Sequence, residues 1–226
     1  MKEIPKSKRY ALGWYNEGIT RLNIKDYEEA MEFFHKALET IPDHPDFLIG
    51  LGDVFFATGR FKEAYEKYIQ TLHLEPDNFQ AWLKTGIALL RLKKTEEALE
   101  VFDALVEQNA YDGELWLAHG LALLDLGQKE KARVSFINAR RYKPNQPALW
   151  YELARMEKDD IGALQLLQRG YHMDVTNLDI LIELTIRLLA LGRVEESLQY
   201  CERAREVAPE SPRVHKLMQQ CLDAMK

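Results

Sequence analysis

The chain has 226 residues, a formal charge of −6, and 46% hydrophobic and 29% charged residues. That apolar share excludes a disordered chain, and the mildly acidic balance argues against nucleic acid as the default partner. With only Cys201 and Cys221, both on apolar helical stripes, a disulfide-rich secreted scaffold is also excluded, and two reduced, buried thiols are expected.

Residues 1–10 form a basic arm, with Lys2, Lys6, Lys8 and Arg9 against Glu3. Neither an apolar run nor a small-residue cleavage site follows, so no signal peptide is expected. No uninterrupted apolar stretch approaches about 18 residues, which predicts no membrane span and a cytoplasmic protein.

From residue 11 onward one pattern recurs every 34 residues. Trp14, Leu48, Trp82 and Trp116 share a phase, with Gly18, Gly52, Gly86 and Gly120 four residues behind. A second phase carries Ala30, Ala64, Ala98 and Ala132, each followed by an aromatic at Phe34, Tyr68, Phe102 and Phe136, and Pro42, Pro76, Pro144 and Pro209 close most units. The units run 11–44, 45–78, 79–112 and 113–146. Each splits into two amphipathic helices, as in Leu48, Leu51, Phe55 and Phe56 at helical spacing. Gly59, Gly127 and Gly192 fall where a chain leaving a helix turns left-handed. The small residues let two backbones approach while the aromatics fill the space beside them, and the four tryptophans read as core.

The fifth unit, 147–177, keeps Trp150 and Ala154 in phase but is 31 residues long. The deficit is expected in its inter-helix turn near Lys158-Asp159-Asp160, with Asp160 as N-cap of the next helix. Unit six runs 178–211 with Cys201 in the aromatic slot. Residues 212–226 then form a capping helix with Val214, Leu217, Met218, Cys221, Leu222 and Met225 on one apolar stripe, which predicts an array that closes here.

A large residue, Gly, Ala, an aromatic and Pro at fixed offsets in this period resemble the tetratricopeptide repeat along nearly the whole chain. The resemblance implies an all-α, right-handed superhelical solenoid of six helix-turn-helix repeats plus the capping helix. It also implies that the first helix of each unit lines a concave side. The groove expected there holds Tyr15, Ile19, Ile49, Asp53, Phe56, Leu83, Lys84, Ile87, Leu90, Arg91, Leu117, Leu121, Leu124, Tyr151 and Arg155. It is mostly apolar, and an uncovered apolar row beyond roughly 300 to 600 Å² is unusual on a monomer. Some of these side chains, Ile19, Ile87 and Leu121 among them, can equally be core between neighbouring repeats. Asp46, Asp53, Glu114, Asp125 and Asp179 against Lys84, Arg91 and Arg155 favour a basic or mixed-charge partner over an acidic one. The family's carboxylate clamp for acidic C-terminal tails is absent: its slots hold Tyr15, Ile19, Gly50, Gln80 and Lys84, of which only Lys84 is basic.

No catalytic chemistry is legible. The six histidines are scattered singly, with no metal-ligand spacing, and the glycines do not cluster into a phosphate loop. His119 takes a normally apolar slot and reads as a hydrogen-bonded core histidine. Lys129, Lys131, Arg133, Arg140, Arg141 and Lys143, opposed by Glu130, form a basic cluster that reads as a solvated face. The expected function is a non-catalytic scaffold or adaptor, without cofactor or metal, that receives a helical or extended apolar segment of another protein in the groove. The alternative is a homo-oligomer whose groove or capping helix mediates self-assembly.

Overall fold

The computed structural model describes residues 6–225, and among them the chain forms thirteen α-helices and no strand. Two compact units are present. The first runs through Ala110 and includes Leu121–Gln128; the second comprises Tyr111–Gly120 and the chain from Lys129 on.

The first unit contains α1 (Lys6–Asn23), α2 (Tyr27–Thr40), α3 (Pro45–Ala57), α4 (Phe61–Leu74), α5 (Phe79–Arg91) and α6 (Thr95–Gln108), and shares α7 (Gly113–Asp125) with the second. The basic arm expected over 1–10 is helical from Lys6 on, and residues 1–5 lie outside the described residues. Consecutive helices pair by one steric device. A Cβ built at Gly52 would lie 2.5 Å from the Tyr68 ring, and one at Gly18 would lie 2.9 Å from the Phe34 ring. A Cβ at Gly86 would enter the Phe102 ring in the same way. Glycine on the first helix thus admits the aromatic of the second against backbone, and Ala30, Ala64 and Ala98 are fully buried beside it.

Among the described residues, five of the six turns between paired helices reverse direction through one residue of positive φ, the turn at 157–159 being the exception. Gly59 (78°), Gly127 (75°) and Gly192 (71°) occupy it as the sequence suggests, but Lys25 (64°) and Lys93 (62°) occupy the same position in their units. A non-glycine residue there costs roughly 1 to 2 kcal/mol. Side-chain oxygens of Asp26, Asn78, Asp112, Asp159 and Asn177 accept from backbone N–H groups at helix starts, satisfying donors that would otherwise lack partners.

The second unit adds α8 (Lys129–Tyr142), α9 (Pro147–Met156), α10 (Asp160–Met173), α11 (Leu178–Ala190), α12 (Val194–Val207) and α13 (Pro212–Ala224). The short fifth repeat is built differently from the sequence expectation. The turn 157–159 keeps the three-residue length of 58–60 and 191–193, though without their positive φ, whereas α9 has 10 residues against 13 in α3 and α11. The deletion therefore removes about 4.5 Å of helix rather than loop. Asp159, not Asp160, caps α10 by accepting from Gly162 N at 2.8 Å. Asp160 is the first helical residue, and its carboxylate receives Arg187 of α11 at 2.6 Å.

The tryptophans are not all core as the sequence suggests: Trp150 is buried, whereas Trp14, Trp82 and Trp116 are half-buried, and the position also has a polar task. Trp82 Nε1 donates to the Pro76 carbonyl at 2.8 Å and Trp150 Nε1 to the Pro144 carbonyl at 2.7 Å. His215 Nε2, in the same slot of α13, lies 2.6 Å from the Pro209 carbonyl. Each ring anchors the proline-marked connection six residues earlier. Cys201 and Cys221 are free and buried, between α12 and α13. Burial and the neighbouring Cys221 push the Cys201 thiol up to about 12.

Candidate partner-binding site

In the first unit the expected groove residues come from α1, α3 and α5, with Leu121 and Leu124 from the end of α7. Tyr15, Ile19 and Phe56 are half-buried, packed by one side against the core of Phe34, Leu51, Phe55 and Tyr68. Tyr15 stacks on Phe47 with ring centroids 5.2 Å apart, and Ile49, Ile87, Leu90, Leu121 and Leu124 are also half-buried. These side chains are both core margin and surface. Leu83 departs from the expectation: at 1% exposure it belongs to the core. Its position in the repeat matches that of the half-buried Ile49, although both helices bury the same flanking positions, Ala81, Thr85 and Ala88 in α5 and Phe47, Leu51 and Val54 in α3.

The charges on this face are largely consumed within the protein. Asp53 accepts from Tyr68 Oη at 2.8 Å and from Lys84 Nζ at 2.9 Å. Burial and then the Asp53 charge push the Tyr68 phenol well above its ordinary value, so it remains a donor. Asp125 accepts from Thr95 Oγ1 at 2.6 Å. The Arg91 guanidinium lies 4.6 Å from the Phe61 ring centre and 5.8 Å from that of Phe56. Lys84, the one basic residue in the clamp slots, is held by Asp53. Tyr15 is raised by burial and by Asp46 and Asp53. What remains open is an aromatic and aliphatic surface on which Asp53 and Lys84 are paired with each other.

The second unit holds Leu117 on α7 and Tyr151 and Arg155 on α9. Leu117 and Tyr151 are half-buried and Arg155 is exposed, its guanidinium 5.5 Å from the Tyr151 ring. Arg155 also bonds Glu152 at 3.2 Å. Glu152 is only 8% exposed, and burial raises its carboxyl above the ordinary value despite that partner. Arg187 bridges Asp160 and Glu183; the i, i+4 pair with Glu183 is readable on α11, whereas Asp160 comes from α10 and no spacing rule signals it. His119 hydrogen-bonds the buried Ser135 hydroxyl at 2.9 Å and meets Trp116 edge-on, as a core histidine should. In the basic cluster, Lys143 pairs with Glu114 at 2.9 Å, and Lys129, Lys131, Arg133, Arg140 and Arg141 are exposed.

A family model described as tetratricopeptide repeat matches residues 49–113 and 117–160, and a second model of the same description matches 25–66 and 157–221. The chain belongs to the tetratricopeptide-repeat family. No curated protein sequence matches significantly. Among solved structures, the repeat chain is similar to one in the APC/C hetero-tetramer Cut9–Hcn1, with a TM-score of 0.85, 20% identity and coverage of 94% of this chain and 43% of that one. PilF of Pseudomonas aeruginosa gives 0.75 at 20% identity, covering 96% and 100%. PilW, a type IV pilus biogenesis factor, gives 0.75 at 19%, covering 92% and 98%. The chain thus spans less than half the length of the first of these. At such identities the likeness concerns the fold. Among the described residues no helix is long and apolar enough to cross a membrane.

Proposed function

We propose that this tetratricopeptide-repeat protein is a non-catalytic adaptor that receives a helical or extended apolar segment of another protein on the α1, α3 and α5 face of its first unit. One observation carries the reading: Tyr15, Ile19, Ile49, Phe56, Ile87 and Leu90 remain half-exposed while Asp53 and Lys84 between them neutralise each other. An amphipathic helix matches such a surface through residues at i, i+3, i+4 and i+7. Burying about 400 Å² of apolar area contributes on the order of 10 kcal/mol gross, and most of it is offset by ordering and association. Affinity in the micromolar range follows. Two free, buried thiols support a reducing compartment such as the cytoplasm.

Selection of random peptides displayed on phage tests this reading. Enriched sequences should carry apolar residues at helical spacing, and Phe56→Glu with Leu90→Glu should weaken their binding more than tenfold at a temperature where circular dichroism shows the variant still folded. Selected peptides that bind the double variant equally well would overturn the proposal. Light scattering of the unliganded chain separates the competing self-assembly reading, which requires a concentration-dependent mass.

A further inference from the structure

Beside Trp82, along one face of α6, lies a cavity of about 350 Å³ lined by Trp82, Glu97, Glu100, Val101, Ala104, Leu105 and Gln108. An indole, an apolar floor and two exposed carboxylates at the rim make a chemically mixed site. None of the groove residues takes part.

The repeat itself shows what fills this position elsewhere. Trp82 and Trp150 occupy equivalent places in units three and five, and α6 and α10, both of 14 residues, align with Ala98 and Phe102 over Ala163 and Leu167. In that alignment Ala104 corresponds to Arg169. The Arg169 guanidinium sits 5.3 Å from the centre of the Trp150 ring. In α2 the corresponding residue is Lys36, which lies 5.1 Å from the Phe33 ring centre and 3.7 Å from the carboxylate of Glu32. Glu32 is the counterpart of Glu100, and Phe33 the counterpart of Val101. α10 therefore supplies a cation of its own to the tryptophan of its repeat, whereas Lys36 of α2 stands over a ring of its own helix. In α6 the cation is missing: alanine stands in its place, while Trp82 and Glu100 remain, and Glu100 makes no ion pair among the described residues. Glu97 is paired only at the exposed surface, with Lys94 at 2.9 Å.

We propose that the cavity beside Trp82 is a binding site for an arginine side chain of a partner protein, its guanidinium on the indole face and its charge opposed by Glu100 and Glu97. Arginine suits it better than lysine because a planar, weakly hydrated cation stacks on an indole while keeping its edge donors free for carboxylates. The Trp82 N–H is already committed to the Pro76 carbonyl, which fixes the ring and leaves its face for the ligand. The site is independent of the α1, α3 and α5 face, and either can fail without the other.

The test uses the full chain labelled with nitrogen-15 and follows the Trp82 indole N–H resonance, assigned with Trp82→Phe. The probes are N-acetyl-arginine amide and its neutral isostere N-acetyl-citrulline amide. A saturable shift with the arginine probe and none with citrulline is expected, with affinity in the millimolar range for a single side chain. Glu97→Gln with Glu100→Gln should weaken it at least several-fold. Ala104→Arg should abolish it by filling the slot as Arg169 does; position 104 is exposed and arginine is a good helix former, so this variant should fold, which circular dichroism checks. No shift at about 100 mM probe, an equal response to citrulline, or an unchanged response in Ala104→Arg would each overturn the proposal.

Discussion

In α5 and α6 a glycine admits an aromatic ring against backbone, Phe102 over Gly86; in α11 and α12 the same two positions hold Thr185 and Cys201. The substitution replaces one large apolar contact with several small polar ones. Thr185 Oγ1 donates to the Leu181 carbonyl at 2.8 Å, Ser197 Oγ to the Thr185 carbonyl at 3.1 Å, and Ser197 Oγ lies 3.3 Å from Cys221 Sγ. All four side chains are fully buried, so their polar atoms had to find partners inside the unit. The pairing of α5 with α6 at this point rests on shape. The last repeat is held by satisfied hydrogen bonds and by α13 laid over them.

That contrast is broken most directly by truncating the two plugs. Phe102→Ala should cost roughly 3 to 5 kcal/mol in urea unfolding, and Cys201→Ala only about 1 kcal/mol, since it removes little more than one heavy atom. Equal costs would mean that the two positions carry the same load after all.

The inter-helix turns sharpen it at smaller scale. Lys93→Gly, which relieves a left-handed lysine, should stabilise by about 0.5 to 1 kcal/mol, less than the full strain because glycine gains entropy when unfolded. The reverse change Gly59→Lys should destabilise by a similar amount, and a thermal melt of each variant gives the sign. If both changes destabilise, the lysine side chain at position 93 does more than tolerate its backbone.

The smallest effect concerns Lys84 and Glu152, which share a position in their repeats but face different surroundings. Lys84 has Asp53 close by, whereas Glu152 is buried with one exposed arginine. Because burial raises the folded-state value of Glu152 above its ordinary 4.5, the folded chain holds that proton more tightly than the unfolded one. Stability from this group therefore falls as pH rises from 4.5 to the raised value, and above it the charged carboxylate burdens the fold. Glu152→Gln should raise the melting temperature at pH 7, and the two curves should converge below the ordinary carboxylate range. A lower melting temperature for the variant at pH 7 would show that the Arg155 pair outweighs burial.

The glycine–aromatic ladder was legible because each unit repeats it at a fixed offset, and so were the turn at Gly59 and the core role of His119. Lys25 and Lys93 escaped notice because residue type does not signal a left-handed backbone that context imposes. The missing residues of the fifth repeat could be counted but not located: a shorter helix and a shorter turn leave the same gap in the sequence, and Asp159 and Asp160 are equally good caps on paper. In the groove, Asp53 and Lys84 read as two free charges because the pairing spans two helices, and Leu83 read as open because position in the repeat does not fix burial. The empty slot at Ala104 had no signal of its own. It becomes visible only when Arg169 is seen resting on Trp150.

The most direct test of the binding face is a titration of a phage-selected peptide into the chain labelled at isoleucine methyls. Shifts at Ile19, Ile49 and Ile87, with Ile137 and Ile161 unmoved although both are exposed, are the result predicted. Shifts confined to Ile137 or Ile161, with the three methyls of α1, α3 and α5 static, would contradict it.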